Sequence, residues 1–195
     1  MTHLFPAASG RRHNRYLLIR HGHSQANQQG VIISSPEQGI AGYGLSCRGR
    51  EQLDALLADW RWAIPQRILH SDFRRTTETA ERIARHFGLP LVAETRLRER
   101  YFGDFEGRTD DHYAQVWTRD AADPTHRHAG VESVVEVAAR MTAVIDELEE
   151  RLAGETVMLV SHGDPLQILL AALEGRELNR HREPPSLTPA SITVL

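Results

Sequence analysis

The sequence of 195 residues contains no lysine, because all 23 of its basic side chains are arginine. A P-loop nucleotide hydrolase needs a lysine on its β- and γ-phosphates, and a protein kinase needs one on its third strand. A pyridoxal phosphate enzyme needs a lysine for its Schiff base. The absence of lysine therefore excludes all three classes.

Cysteine and long apolar runs are scarce as well. The single cysteine, Cys47, excludes disulfide scaffolds, cysteine-rich zinc sites and cysteine-ligated clusters. No run of 18 apolar residues occurs, and segment 1–15 has no apolar stretch of signal-peptide length. The net charge of −3 argues against a nucleic-acid binder that relies on a strong basic field. We therefore expect a cytoplasmic protein without a membrane or nucleic-acid partner.

The composition, with 41% hydrophobic and 25% charged residues, is typical of a globular domain. A chain of this length buries roughly 70% of its unfolded surface, so one domain with a sizeable core is expected. Residues 1–14 are polar and basic and contain Pro6 and Gly10. They are predicted to form a disordered tail, which leaves 15–195 as a single domain.

Short apolar runs alternate with amphipathic stretches along this domain. The runs predict strands at 17–19, 68–69, 157–160 and 191–195. Helical stripes cover 53–60, 73–87, 134–152 and 164–173, the last with Asp164 as N-cap, Pro165 at its first position and Gly175 at its end. This alternation predicts an α/β fold, a three-layer sandwich with a mainly parallel central sheet and helices on both faces.

Two long segments, 28–44 and 100–130, lack periodicity and are rich in Gly, Asp and His. Long irregular connections in compact domains are more often functional than idle. They are predicted to form the walls of a substrate site, with 100–131 as a cap-like region.

Polar residues follow three of the predicted strands, as Arg20-His21-Gly22, as segment 70–72 and as segment 161–163. Parallel strands deliver their carboxyl ends to one edge of a sheet, so the histidines of the first and third segments are expected to meet. Arg20, the pair Arg74-Arg75 and the N-terminus of the helix predicted at 164–173 would surround these histidines. Arginine forks and helix N-termini both favour oxyanions, so the pattern predicts a phosphate site.

Six short motifs follow one another from about Tyr16 to the C-terminus. They are LIRHGHSQAN at 18–27, GLSCRGREQ at 44–52, SDFRRTTETA at 71–80, LRERYFGDFEG at 97–107, GVES at 130–133 and VSHG at 160–163. In this order they resemble the signatures of the histidine phosphatase superfamily, which is phosphoglycerate mutase-like. The resemblance implies a phosphoglycerate mutase-like fold and a place in the phosphatase branch of this superfamily.

The resemblance also implies catalytic roles by position. His21 would be the nucleophile that forms a phosphohistidine. Arg20, Arg75 and His162 would hold the phosphoryl oxygens, whereas the family is indifferent to the residue at Arg74. Glu99 would protonate the leaving group and then help to activate the hydrolytic water. Neither a metal nor an organic cofactor is implied, and the partner would be a small phosphorylated substrate.

Further contacts to the substrate or its phosphate are implied for a second set of residues. This set comprises Asn27, Ser24, Gly163, Leu45 and Ser46. Outside it, the loop 126–128 either contacts the far end of the substrate or is a solvated loop. Cys47 is expected on a helix surface or in packing, and Asp164, as an N-cap, is expected to face its own helix.

Three alternative functions remain open. A phosphoglycerate mutase would share the first step, since segment 99–103 is similar to the mutases' E-R-H-Y-G with Tyr101 in place of histidine. A metal-dependent hydrolase is suggested by the pair His21-Gly22-His23, although no further set of residues has convincing ligand spacing. A non-catalytic phosphate-binding protein is the third. The substrate is not specified by the sequence, nor is the oligomeric state, for which a homodimer is one option.

Overall fold

A computed structural model describes residues 12–195 and shows five strands and seven α-helices in that part of the chain. In chain order they are β1 (Arg15–Arg20), α1 (Gln25–Gln29), α2 (Pro36–Gly39), α3 (Cys47–Ala58), β2 (Arg67–His70), α4 (Arg74–Phe87), β3 (Leu91–Ala93), α5 (Tyr113–Ala122), α6 (Val134–Arg151), β4 (Thr156–Ser161), α7 (Gly163–Leu173) and β5 (Ile192–Val194).

The strands form one sheet in the order β3-β2-β4-β1-β5. The first four in this order are parallel, and only β5 runs antiparallel, beside β1. Every residue of the central strand β4 is buried, as expected for a parallel strand that helices cover on both faces. The predicted α/β fold with a mainly parallel sheet is therefore confirmed.

Side chains of β1 alternate between the two faces of the sheet and so build two separate cores. Tyr16 and Leu18 pack into the core that contains α6 and α7. Leu17 and Ile19 pack into the opposite core, with α3 and α4. This period of two, with apolar residues on both faces, is what places the sheet in the middle of three layers.

All four predicted strands are present, but β3 was not predicted, because its three residues are partly or fully exposed and give no apolar run. The prediction that Asp164 caps α7 is wrong. His162, with extended backbone angles, is the N-cap, and Asp164 lies inside the first turn. Its carboxylate turns away from the helix end toward cations, including Arg100 at 3.3 Å.

The two segments without periodicity pack against each other over the carboxyl edge of the sheet. Isolated bridges join Val31 to Thr109 and Phe102 to Val131. A small apolar cluster under them contains Ile32, Phe102, Val116 and Val131. The region 100–131 thus contains α5 and short 3₁₀ turns rather than a single loop.

Residues 1–11 of the predicted tail lie outside the described residues. Asn14, at its end, is buried, and its amide donates to Glu149 Oε1 and to the carbonyl of Leu152 at 3.0 Å each. Across 12–195, no helix combines the length and the apolar content that a bilayer crossing requires.

Candidate active site

The carboxyl ends of β1, β2 and β4 bring polar side chains together, as the parallel topology predicts. His21 follows β1 and His162 follows β4, and both imidazoles are buried. Their ring centroids lie 5.2 Å apart at an interplanar angle of 67°. Residues 141 positions apart in sequence therefore share one site because β1 and β4 are neighbours in register.

Arg75, in the first turn of α4, lies between the two histidines. Its single Nε–H is 3.1 Å from His21 Nε2 and 3.2 Å from His162 Nδ1. Its Nη2 donates to the carbonyl of Ile33 at 3.0 Å, which ties the first irregular segment to the site. The preceding residue, Arg74, instead faces outward and pairs with Glu78.

The hydrogen bonds of His21 determine its tautomer. Nδ1 lies 2.8 Å from the carbonyl oxygen of Gly22, which can only accept, so Nδ1 carries the proton. Burial, followed by the charges of Arg75 and Arg20, lowers the pKa of His21 well below its usual value. The ring is therefore neutral, and Nε2, whose lone pair accepts from Arg75 Nε–H in this structure, is the nitrogen that can act as a nucleophile.

His162 is oriented by a hydroxyl group on the neighbouring strand end. Its Nε2 lies 2.9 Å from Ser71 Oγ, and its Nδ1 faces the site. In this structure Nδ1 accepts from Arg75 Nε–H, so the proton of the neutral ring lies on Nε2, beside Ser71 Oγ. A serine hydroxyl can also donate to Nε2, and the alternative tautomer would present Nδ1–H to an oxyanion. Burial, together with the charge of Arg75, lowers the pKa of His162 and keeps the ring neutral.

Two guanidinium nitrogens in the site lack partners. Within 12–195, buried Arg20 Nε and Arg75 Nη1 make no hydrogen bond, although Arg20 Nη1 donates to the carbonyl of Leu187 at 2.5 Å. Burial lowers the pKa of both arginines. Leaving such donors unpaired is costly, and an oxyanion between them would satisfy both.

Gly163 allows Arg20 to reach this position. A Cβ atom built on Gly163 would lie 3.3 Å from Arg20 Nε, closer than ordinary side-chain contacts. The glycine at the start of α7 therefore lets the guanidinium lie against the backbone.

A cavity of about 210 Å³ opens over these groups. Its polar lining comprises Arg20, His21, Ser24, Asn27, Arg75, Glu99, Asp110, Tyr113, Trp117, Gly163, Asp164, Gln167, Arg182 and Ser186. His162 lies beneath it, in contact with Arg75. Most of the predicted site residues thus surround one space.

Leu45 and Ser46 are not brought into the cavity lining. Leu45 packs in the core beside α3, and Ser46 caps α3 by accepting from the Gly49 amide at 3.1 Å. The Ser46 hydroxyl also lies 2.9 Å from His23 Nδ1. His23 therefore faces Ser46. Across residues 12–195, no group of three or more His, Cys, Asp or Glu side chains is arranged so that it could hold a metal ion.

Glu99, immediately before the region 100–131, lines the cavity. Its Oε2 lies 3.6 Å from Arg75 Nη2 and 3.7 Å from His162 Nδ1. Burial raises the pKa of Glu99 to about 7, against the opposing charge of Arg75 and with the help of Asp164. The carboxyl group can therefore carry a proton near neutral pH, as a general acid requires.

Asp164, another carboxylate that lines the cavity, has a pKa shifted in the opposite direction. Burial alone would raise its pKa, but the neighbouring His181, Arg100 and Arg182 outweigh burial and lower that pKa below its usual range. The pKa values of the two carboxyl groups are thus shifted in opposite directions, which favours Glu99 over Asp164 as the candidate proton donor.

No signal in the sequence marked Arg100 as part of the site. Its guanidinium is fully buried and donates to both carboxylate oxygens of Asp120, at 2.7 and 2.8 Å, and to the Glu132 carbonyl at 2.7 Å. His126 also turns to Asp120, with Nε2 2.8 Å from Oδ1. This cluster anchors the region 100–131 and the backbone next to Glu99.

Tyr113 and Trp117 on α5 were also missed, because they lie in a segment without periodicity. Both line the cavity, and their rings stack at 5.2 Å with an interplanar angle of 7°. Burial raises the pKa of Tyr113, so its hydroxyl stays protonated and can donate to a ligand. By contrast, Arg127 pairs with Glu136, outside this cavity.

Comparisons with known proteins agree with this geometry. The sequence model of one protein family, the histidine phosphatase superfamily (branch 1), matches residues 16–195. The glucosyl-3-phosphoglycerate phosphatase of Mycobacterium tuberculosis is 34% identical over 180 residues, covering 83% of this chain and 76% of that protein. The probable phosphoglycerate mutase GpmB of Photorhabdus laumondii is 31% identical over 170 residues, covering 85% and 77%.

Solved structures of related proteins superpose on this chain. The native structure of a mycobacterial glucosyl-3-phosphoglycerate phosphatase superposes with a TM-score of 0.77 at 30% identity, covering 92% of this chain and 88% of that one. A structure called mycobacterial hydrolase 1 superposes with a TM-score of 0.79 at 29% identity, covering 94% and 88%. The chain belongs to branch 1 of the histidine phosphatase superfamily.

Proposed function

We propose that the protein is a phosphomonoesterase that hydrolyses a small phosphorylated metabolite through a phosphohistidine on His21. The observation that carries the proposal is the convergence of the His21 Nε2 lone pair with two unpaired buried donors, Arg20 Nε and Arg75 Nη1. A phosphoryl group between these donors presents its phosphorus to the nucleophile. Two oxygens of that group can accept from the two guanidinium nitrogens.

In the first step, the His21 Nε2 lone pair attacks phosphorus and forms an N–P bond while the ester P–O bond breaks. The leaving oxygen takes the proton of Glu99 and departs as an alcohol. Arg20, Arg75 and His162, the last in its Nδ1–H tautomer, stabilise the charge on the equatorial oxygens. Asn27, Ser24 and Gly163 line the same space and complete the substrate contacts.

In the second step, a water molecule attacks phosphorus and the N–P bond breaks. Glu99, now a carboxylate, accepts the proton of the water, and His21 recovers its lone pair. Inorganic phosphate leaves and the starting state is restored. We assign Leu45 and Ser46 to support of α3 and of the first motif, and the region 100–131 to a cap over the leaving group.

Phosphoglycerate mutase activity is the second candidate, since several relatives are named probable phosphoglycerate mutases. A mutase would return the phosphoryl group from His21 to the substrate instead of to water. Incubation with 3-phosphoglycerate distinguishes the two, because a phosphatase releases inorganic phosphate and a mutase yields 2-phosphoglycerate.

The phosphoenzyme itself tests the proposal. The protein is mixed with an aryl phosphate carrying ³²P and quenched in alkali, in which phosphohistidine survives. We expect acid-labile label on the unaltered protein and on His23→Ala, the matched control whose imidazole faces Ser46. His21→Ala should carry no label. Label that persists on His21→Ala would refute the proposal.

A further inference from the structure

Tyr113, the first residue of α5, lines the same cavity as Arg20, Arg75 and Glu99. The two steps of hydrolysis leave this side chain unused, and they use the region 100–131 only as a cap over the leaving group. A polar side chain among the groups of the phosphate site is thus without a role.

Aromatic contacts fix the ring of Tyr113 in place. It forms an edge-to-face pair with the fully buried Phe102, with ring centroids 4.8 Å apart at an interplanar angle of 75°. Trp117, one turn further along α5, stacks on it nearly parallel, and the guanidinium carbon of Arg182 lies 3.8 Å from the centroid of Trp117. Both pair geometries are favourable for aromatic rings, and a guanidinium over an indole adds to them. The phenol is therefore held in position before a ligand binds.

The hydroxyl group of Tyr113 has no partner within residues 12–195, where Oη makes no hydrogen bond. Buried tyrosine hydroxyls usually find a partner, as Tyr16 does by donating to Glu149 Oε1 at 2.6 Å. A fixed ring whose hydroxyl is unmet beside a cavity provides a donor that a ligand can use.

Electrostatic coupling relates this hydroxyl to the groups of the phosphate site. Burial and then the charge of Glu99 raise the pKa of Tyr113, whereas the charges of Arg75 and Arg20 lower it. Burial lowers the pKa of both arginines, and Glu99 and then Tyr113 act against that decrease. Because Coulomb interactions weaken with distance, the hydroxyl lies on the part of the cavity wall next to these two guanidinium groups.

We propose that Tyr113 is a further catalytic residue, whose hydroxyl donates a hydrogen bond to an oxygen of the transferring phosphoryl group. The inference rests on the proposed phosphatase function. Charge in the transition state is spread over the equatorial oxygens, each of which can accept more than one hydrogen bond. Arg20 and Arg75 donate to these oxygens from the sheet edge, and Tyr113 adds a neutral donor from α5. The region 100–131 thus belongs to the phosphate site as well as to the cap.

Tyr113→Phe tests the inference, because it removes the hydroxyl and keeps the aromatic ring. We expect kcat/KM to fall about tenfold for alkyl and aryl phosphates alike, since both carry the same phosphoryl group. In a calorimetric titration, inorganic phosphate should bind about threefold or more weakly. Tyr16→Phe is the matched control, because it removes a tyrosine hydroxyl whose partner, Glu149, lies outside the cavity. It should change neither value.

Values for Tyr113→Phe within about twofold of those of the unaltered protein would overturn the inference. A loss confined to alkyl phosphates, with unchanged phosphate binding, would overturn it too, since the hydroxyl would then act on the leaving group. The urea midpoint should not change, because no hydrogen bond within the protein is removed, and a marked decrease would show a structural role instead. If the unaltered protein hydrolyses no phosphate ester, the phosphatase function fails, whereas the phosphate titrations still decide whether Tyr113 contacts a phosphoryl group.

Discussion

Arg75 and Arg100 are both buried arginines, yet their surroundings differ in kind. Arg100, fully inaccessible, directs Nη1 and Nη2 to Asp120 and its Nε–H to a backbone carbonyl. Arg75, 3% exposed, shares one Nε–H between two neutral histidines and leaves Nη1 without a partner within 12–195.

This difference shows that burial alone does not identify a ligand-binding arginine. A buried cation with every donor satisfied holds elements of the fold together, whereas one with an unmet donor destabilises the fold until a ligand supplies the acceptor. We therefore infer that Arg100 belongs to the scaffold of the region 100–131 and that Arg75 belongs to the proposed phosphate site. The two roles predict opposite balances between stability and activity.

The largest effect is expected for Arg100→Met. Removing this cation leaves the buried Asp120 carboxylate without its bidentate partner, so the free energy of unfolding should fall by about 3–5 kcal/mol. Urea denaturation measures the loss. Arg67→Met is the matched control, because Arg67 makes a similar two-bond contact with Glu155 at the surface, worth about 1 kcal/mol or less. Similar losses in the two variants would remove the distinction between them.

Arg75→Gln should show the reverse pattern. It removes donors to the transferring phosphoryl group, so kcat/KM should fall about 10²- to 10³-fold. The free energy of unfolding should not decrease, since an unsatisfied buried charge is lost. Arg74→Gln, at the adjacent exposed position, should retain nearly full activity. The contrast fails if Arg75→Gln is as unstable as Arg100→Met.

The sequence predicted Arg75 but not Arg100, for a physical reason. Arg75 follows a strand end, and the topology of a parallel sheet places such positions at one edge. Arg100 acquires its role from Asp120 and Asp164, contacts that depend on how an irregular segment folds back. The same limit explains why Tyr113, Trp117 and Arg182 were not predicted to line the cavity, whereas His21, His162 and Glu99 were predicted as site residues.

The third prediction concerns Glu99, which contacts Arg75 and begins the segment that Arg100 anchors. Glu99→Gln cannot protonate the leaving oxygen, so hydrolysis of alkyl phosphates should slow about 100-fold. Aryl phosphates have better leaving groups and should lose far less. Steady-state kinetics on a matched alkyl and aryl pair measures the difference. Equal losses would argue against proton donation.

The smallest effect is the pH dependence of the unaltered protein. Because burial raises the pKa of Glu99 to about 7, the acid form is lost above that pH. For an alkyl phosphate, kcat/KM should therefore fall about tenfold per pH unit on the alkaline side. The fall should be absent in Glu99→Gln. On the acid side, His21 stays neutral well below pH 6.5 and should not limit the rate.

Asp164 shows where local sequence rules gave a wrong result. An aspartate followed by proline is a typical helix start, and Asp164 was expected to cap α7. The charges of Arg100, His181 and Arg182, from distant parts of the chain, compete for its carboxylate. The strand β3 was missed for a related reason, since its pairing with β2 rather than its composition defines it.

The most direct test of the account is the effect of inorganic phosphate on stability. If the unmet donors of Arg20 and Arg75 bind a phosphoryl group, phosphate at 100 times its Kd should raise the free energy of unfolding by about 2.7 kcal/mol. We predict this rise, measured by urea denaturation, in the unaltered protein and in Arg74→Gln, and little or none in Arg75→Gln at the same concentration. An equal rise in Arg75→Gln would contradict the assignment of Arg75 to the phosphate site.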